Sequence, residues 1–205
     1  IDIRQIIHDV VKNIGYDFDH SFHPESIAVF NAIREQSPDI AKGVVSDKVE
    51  DMKAGDQGMM FGYATDETEN YMPAPISIAR DIVNRMQELR QNGTLKWMRP
   101  DGKSQVTVEY RDNKPYRVRE ILISTQHAAD IESEDIKAEL KKHIVDVMIS
   151  ERLMNGFEDE NFIVNPAGDF VHGGPAADTG LTGRKIIVDT YGGMGRHGGG
   201  CFSGK

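Results

Sequence analysis

The sequence lacks a second cysteine, because its 205 residues contain Cys201 alone. A single cysteine cannot form an internal disulfide, so the chain is typical of a reducing compartment, and we expect a cytoplasmic protein. No apolar run approaches the about 20 residues that a membrane-spanning helix requires, and the first residues show no secretory-signal pattern. We therefore expect no membrane partner.

Basic residues are also in short supply: 24 Lys and Arg stand against 33 Asp and Glu, for a formal net charge of −9. General nucleic-acid binders normally carry a basic face, so we expect no nucleic-acid partner. The hydrophobic fraction of 39% and the charged fraction of 28% are ordinary for a globular protein of one large or two smaller domains. An initiating Met is absent as well, which indicates a fragment or a processed chain.

The hydrophobic periodicity predicts an α+β fold. Helices are indicated where apolar residues recur at helical spacing, and strands where such residues alternate or form short runs between turn residues. The predicted elements are a helix over 2–14, a buried strand over 26–34, a polar loop over 36–55, a strand over 59–64, a helix from Met72–Pro75 to about Gly93, a hairpin over 105–110 and 117–124, a helix from Ser133, a strand over 161–164 and a buried strand over 186–188. This order favours tandem α/β modules, with helices on one face of largely antiparallel sheets.

Two of these helices show a definable inner face, which predicts part of the core. For the helix that begins near Met72, the inner residues are Ile78, Ile82, Val83, Met86 and Leu89. For the helix from Ser133, they are Ile136, Leu140, Ile144, Val147 and Met148.

The last 26 residues, 180–205, combine glycine with cations. Seven of the thirteen residues from Gly192 to Gly204 are glycine, and glycine lets the backbone approach a ligand closely. Exposed amides and cations together suit an anion with several oxygens, so this region predicts a polyphosphate site. The interleaved cations are Arg184, Lys185, Arg196, His197 and Lys205.

The same region contains a literal match to the phosphate-loop pattern, from Gly199 to Gly204 and Lys205. In that alternative the protein is a P-loop nucleotidase. The pattern requires a strand immediately before the loop, followed by Ser or Thr and a helix after it. The nearest predicted strand ends about nine residues before Gly199, which disfavours this alternative.

Several blocks of the sequence resemble, in order, those of the S-adenosylmethionine synthetase (methionine adenosyltransferase) family. The resemblance covers the whole chain, and its blocks are Gln36–Ile40, Gly55–Ala64, Arg99–Val106, Ser124–His127, Asn165–Gly168, Gly180–Asp189 and Gly198–Lys205. It implies a fold of similar modules related by pseudo-threefold symmetry. It also implies an alkyl-transferring enzyme that joins ATP to L-methionine by attack of the methionine sulfur on ribose C5′. The displaced tripolyphosphate is then cleaved to pyrophosphate and phosphate.

The resemblance also implies roles for individual residues. Arg184, Lys185 and Lys205 correspond to the catalytic cations that hold the triphosphate. Gln36 and Asp178 correspond to methionine contacts. The implied ATP contacts are Asp56, Asp101, Lys103, Asp169, Phe170, Asp178, Arg184, Lys185, Cys201 and Lys205. Two of these depart from the family pattern: Asp169 stands where Arg or Lys is usual, and Cys201 where Ala is usual.

The resemblance further implies Mg²⁺ and K⁺ as cofactors, and a homodimer with shared active sites that pairs into a dimer of dimers. The sequence assigns no metal ligand, because the family's Gly-His-Pro-Asp-Lys motif is absent and the metal ligands are expected largely outside this chain. The implied organisation is the end of an N-terminal module with a mobile active-site loop over 1–51, a central module over 52–172 and the start of a C-terminal module over 173–205. A catalytically inactive nucleotide-binding or assembly fragment is the remaining alternative.

Overall fold

The computed structural model describes residues 1–17, 22–35, 37–53 and 61–200. The chain divides into two compact units, one of residues 1–27 and 64–180 and the other of residues 28–63 and 181–205. In the described residues the helices are α1 (Ile3–Ile14), α2 (Pro38–Val44), α3 (Ala74–Gln91), α4 (Ser133–Leu140), α5 (Asp146–Met148) and α6 (Ile186–Asp189). A π-helical turn, Lys141–Val145, joins α4 to α5.

One sheet is formed within the described residues, by β1 (Met98–Arg111), β2 (Lys114–His127) and β3 (Phe162–Val164) in that order. β1 and β2 form the predicted antiparallel hairpin, in which each strand is longer than expected. Its turn residues, Asp112 and Asn113, have φ of 49° and 59°, as the favoured two-residue hairpin turns require. β3 pairs with β2 in parallel.

The core of the first unit lies between this sheet and helices α3 and α4. The fully buried residues include Ile82 and Leu89 of α3, Ile121 and Ile123 of β2, and Phe162 of β3. Burying one such side chain stabilises the fold by about 1.5–3 kcal/mol. The α+β prediction is therefore confirmed, and so is the helix that begins near Met72. Val83 was placed on its inner face, but its side chain is exposed.

The π-helical turn changes which residues of the following helix face the core. Ile136, Leu140 and Ile144 are buried as predicted, but Val145 is fully buried and Val147 is 66% exposed. A π-helical turn bonds each residue to the one five positions away and so inserts one residue into the helical repeat. The prediction of Val147 as a core residue is therefore wrong, because regular α-helical spacing was assumed.

Helix α1 begins and ends as predicted. The Asp2 side chain accepts a hydrogen bond from the Gln5 amide at 3.0 Å and caps the first turn. Gly15 follows the helix in the left-handed region, with φ of 97°, a conformation that glycine adopts without steric cost.

Two predicted strands are absent from the described residues, and the strand predicted over 59–64 is absent from its described part, 61–64. In the segment 26–34, Ser26 ends a 3₁₀ turn, residues 27–34 have no regular secondary structure, and Phe30 is 96% exposed. The segment 186–188 lies in helix α6, with the Thr190 hydroxyl donating to the Ile186 carbonyl at 2.9 Å. Both predictions are wrong for the same reason: a strand must find a neighbour for its backbone groups, and an apolar run cannot show whether that neighbour exists.

Within the loop predicted over 36–55, the described residues 37–53 are only partly irregular. They contain helix α2, with Pro38 at the start of the helix, where its missing N–H costs nothing. A 3₁₀ turn, Val49–Asp51, follows. The prediction of an unstructured polar loop is corrected accordingly.

Candidate functional site

The chain that follows β3 is bound to the end of β2. Asn165 has φ of 42°, and its side-chain amide pairs with the backbone of Thr125 in both directions. The Thr125 amide donates to Oδ1 of Asn165 at 2.8 Å, and Nδ2 of Asn165 donates to the Thr125 carbonyl at 3.2 Å. The Gly168 amide closes the predicted turn by donating to the Asn165 carbonyl at 2.9 Å.

His127 and Phe170 are joined by two further hydrogen bonds. The His127 amide donates to the Phe170 carbonyl at 2.9 Å. The Phe170 amide donates to Nε2 of His127, also at 2.9 Å. Because Nε2 accepts, the ring proton lies on Nδ1, which donates to the Ala128 carbonyl at 2.8 Å. The imidazole is therefore neutral and fixed in one tautomer.

Gln126 of β2 also binds the chain that follows β3, at the residue after Phe170. Its Nε2 donates to the Val171 carbonyl at 3.0 Å. The side chain is 1% exposed, and its Oε1 is buried without a hydrogen-bond partner among the described residues. A buried acceptor without a hydrogen bond lowers the free energy of unfolding.

Asp101 binds the far end of the same segment. Its Oδ2 accepts a hydrogen bond from the Gly174 amide at 2.7 Å. The neighbouring Gly173 has no room for a side chain, because a Cβ there would lie 2.8 Å from Cε2 of Phe170 and 3.1 Å from Oδ2 of Asp101. The close approach of these groups therefore depends on glycine.

The ring of Tyr16 lies against Gly174, which has φ of +67° and also leaves no space for a Cβ. Burial raises the pKa of the Tyr16 phenol, and the negative charge of Asp101 raises it further, while Arg90 acts in the opposite direction. Burial likewise lowers the pKa of Arg90, against the attraction of Tyr16 and Asp17. Tyr16, Asp101 and residues 170–174 thus form one connected wall, which we call the Phe170 wall.

The other predicted site residues have different environments. Lys103 is exposed on β1, opposite Ser124 of β2. Asp169 and Asp178 are exposed, and Oδ1 of Asp178 accepts from the Gly180 amide at 3.3 Å. Arg184 and Lys185 belong to the second unit, where both are exposed and Lys185 directly precedes α6. Gln36, Asp56, Cys201 and Lys205 lie outside the described residues.

Two regions of the chain match known families. Residues 51–170 match the family described as S-adenosylmethionine synthetase, central domain, and this match covers more than half of the chain. The chain belongs to the S-adenosylmethionine synthetase family. Residues 172–205 match S-adenosylmethionine synthetase, C-terminal domain, so both matches name the same enzyme.

A relative named S-adenosylmethionine synthase, from Clostridium botulinum (strain Alaska E43 / Type E3), is 49% identical over 215 aligned positions. The alignment covers 100% of this chain and 54% of the relative, so the chain spans about half the length of the curated relative it matches.

The family resemblance predicts Asp101 and Phe170 as ATP contacts, but it does not indicate the residues that connect them. Gln126 and His127 lie in a block that carried the resemblance, yet no role followed from it. Tyr16 gave no signal beyond its position after Gly15. These contacts join positions 40 or more residues apart, which periodicity and local motifs cannot show.

Metal ligands are not assembled in the part of this synthetase-family chain that the structure describes. No group of three or more His, Cys, Asp or Glu residues there could hold a metal ion. These residues therefore do not fit Mg²⁺ or K⁺ by themselves. Among the same residues, no helix is both long and apolar enough to cross a membrane.

Proposed function

We propose that the protein containing this chain is a methionine adenosyltransferase, which forms S-adenosylmethionine from ATP and L-methionine. The observation that carries the proposal is the 49% identity to an S-adenosylmethionine synthase across the whole chain. The methionine sulfur donates its lone pair to ribose C5′, and the C5′–O bond breaks. Its electron pair leaves with tripolyphosphate, which water then cleaves to pyrophosphate and phosphate.

This chemistry requires no nucleophilic side chain, because the methionine sulfur is itself the nucleophile. Catalysis then depends on aligning the two substrates and on stabilising charge on the leaving phosphates. We assign the second role to Arg184, Lys185 and Lys205. Arg184 and Lys185 are exposed cations of the second unit, as groups that meet a triphosphate must be.

We assign the nucleotide to the Phe170 wall, where Phe170 packs against Gly173 and is only half-buried. An aromatic ring held in this way suits stacking on a purine. Lys103 and Asp101 are placed beside the nucleotide, and Asp178 with Gln36 at the methionine. The remaining assigned ATP contacts are Asp56, Asp169 and Cys201.

The wider organisation is also proposed. We infer modules over 1–51, 52–172 and 173–205, with active sites shared between two copies of the protein and dimers that pair again. Mg²⁺ and K⁺ would neutralise the phosphates, through ligands largely outside this chain. We place the protein in the cytoplasm.

The deciding experiment measures S-adenosylmethionine formed from ATP, methionine and Mg²⁺ by the full-length protein. Replacing Arg184 by Ala should slow product formation by about 10²–10³-fold, the typical loss for a charge-stabilising group. Arg4→Ala, an exposed cation on α1, is the matched control and should be neutral. An unchanged rate in Arg184→Ala would rule out its triphosphate role.

A phosphate-release assay with and without methionine separates the remaining alternatives. The proposed enzyme releases phosphate only when methionine is present. Phosphate release without methionine would identify a P-loop nucleotidase, although residues 181–198, which directly precede Gly199, contain helix α6 and no strand. ATP binding without turnover would identify an inactive nucleotide-binding or assembly protein.

A further inference from the structure

We propose that His127 is a positioning residue that sets the place of the Phe170 ring, and through that ring the place of the adenine. The part of this inference that concerns adenine rests on the proposed function. The part that concerns Phe170 rests on the geometry alone.

The argument begins with the number of bonds between the two residues. A single backbone hydrogen bond leaves a chain segment free to pivot about that bond. Here the carbonyl and the amide of Phe170 are both held by His127, one by its backbone and the other by Nε2. Two bonds on opposite sides of one residue fix its orientation, and therefore the direction in which its side chain leaves the backbone.

His127 can do this because its own ring cannot turn. The imidazole is 3% exposed, and Nδ1 donates to the Ala128 carbonyl while Nε2 accepts from Phe170. Turning the ring over would break both hydrogen bonds. The backbone groups of Ala128 and Phe170 would then lose their partners, which costs free energy. The acceptor is thus presented in one direction only.

The Phe170 ring is limited from a second side by Gly173. The edge of the ring lies where a side chain at position 173 would stand. Phe170 is fixed by His127 through its backbone and by Gly173 at the edge of its ring, and the residue is only half-buried. A half-buried aromatic residue held in this way suits stacking on a flat, apolar ring system such as a purine.

The same geometry argues against His127 as a general base. Both ring nitrogens are already engaged by backbone groups, and the side chain is nearly inaccessible. A general base must be within hydrogen-bond reach of the proton that it removes from the substrate. His127 therefore acts through Phe170.

The test compares two substitutions of different chemistry. His127→Gln keeps an acceptor near the position of Nε2, whereas His127→Phe keeps the ring volume and removes the acceptor. His143→Gln is the control, because the His143 ring lies on the π-helical turn and pairs with Glu139 at 3.4 Å.

The first measurement is amide hydrogen exchange at Phe170 in the 205-residue chain, together with the NMR tautomer of His127. We expect the Nδ1–H tautomer, at least about 10-fold faster exchange in His127→Phe, and near-normal exchange in His127→Gln and the control. An Nε2–H tautomer in the unmodified chain would overturn the proposal even if a variant failed to fold. Equal exchange in the two His127 variants would also overturn it.

The second measurement is steady-state kinetics of the full-length protein. His127→Phe should raise KM for ATP by about 5–50-fold and change KM for methionine little, since only the stacking of the base is disturbed. In His127→Gln, KM for ATP should stay close to that of the unmodified protein. If His127→Phe accelerates exchange at Phe170 but leaves KM for ATP unchanged, the adenine part is wrong. If the full-length protein forms no S-adenosylmethionine, the proposed function fails while the exchange result still decides the positioning of Phe170.

Discussion

The backbone amide of Gly174 donates a 2.7 Å hydrogen bond to the carboxylate of Asp101, 73 positions earlier in the chain. The bond makes Asp101 a structural partner of the Phe170 wall in addition to its proposed contact with the nucleotide. Because an amide keeps an acceptor oxygen, the two roles can be separated by substitution.

Asp101→Ala should lower the free energy of unfolding by about 1–2 kcal/mol, because the Gly174 amide loses its acceptor. Asp101→Asn should recover most of that loss. Urea denaturation of the 205-residue chain measures both values. Equal losses in the two variants would show that the hydrogen bond contributes nothing to stability.

Gly173→Ala tests the close packing at the wall. The added methyl would meet Phe170, Gln126 and Asp101, and such overpacking typically costs about 1–3 kcal/mol. We also expect weaker binding of ATP by the full-length protein, because the Phe170 ring must move. Gly62→Ala is the control, since no atom outside its neighbours lies within 4 Å of that position. Identical thermal stability in both variants would contradict the packing described here.

The π-helical turn predicts an unusual pair of results for neighbouring valines. Val145→Ala should destabilise the chain by about 1.5–3 kcal/mol, because a fully buried side chain loses two methyl groups. Val147→Ala, at an exposed position, should change stability by less than about 0.5 kcal/mol. The reverse order, measured by chemical denaturation, would indicate a regular α-helix through this segment.

Tyr16 predicts a dependence of stability on alkaline pH. Its pKa is raised above the ordinary value of 10.0, so the fold favours the protonated phenol. That stability is complete below about pH 10 and is lost as the pH rises through the folded-state pKa. In Tyr16→Phe the decrease in unfolding free energy above pH 10 should be smaller than in the unmodified chain. Tyr71→Phe, at an exposed ring, is the control and should behave like the unmodified chain.

The sequence predicted best those elements whose pattern is complete within the element itself. Helix α1 was predicted over 2–14 and is bounded locally by Asp2 and Gly15, and the predicted hairpin closes through the local turn at Asp112 and Asn113. Both elements were predicted correctly. The strands expected over 26–34 and 186–188 failed because apolar runs fit several conformations, and the choice depends on a neighbouring strand that the run does not contain.

The candidate site was predicted less completely for a related reason. The family resemblance led to Asp101 and Phe170 as separate residues, and the structure shows how His127, Gln126 and Gly174 connect them. Nothing in the local sequence marks His127 as an acceptor for an amide 43 positions away. The one-residue insertion at the π-helical turn was equally invisible, because its residues keep an ordinary helical composition.

The attachment of residues 165–174 to the end of β2 has a consequence for the order of folding. The hairpin closes through a two-residue turn, whereas the bonds from Asn165, Phe170 and Val171 to β2 close loops of 40 to 45 residues. Longer loops cost more entropy to close, so the hairpin should form early and the Phe170 wall late. During folding, Phe170 would therefore take its place only after the hairpin to which it is bound has formed.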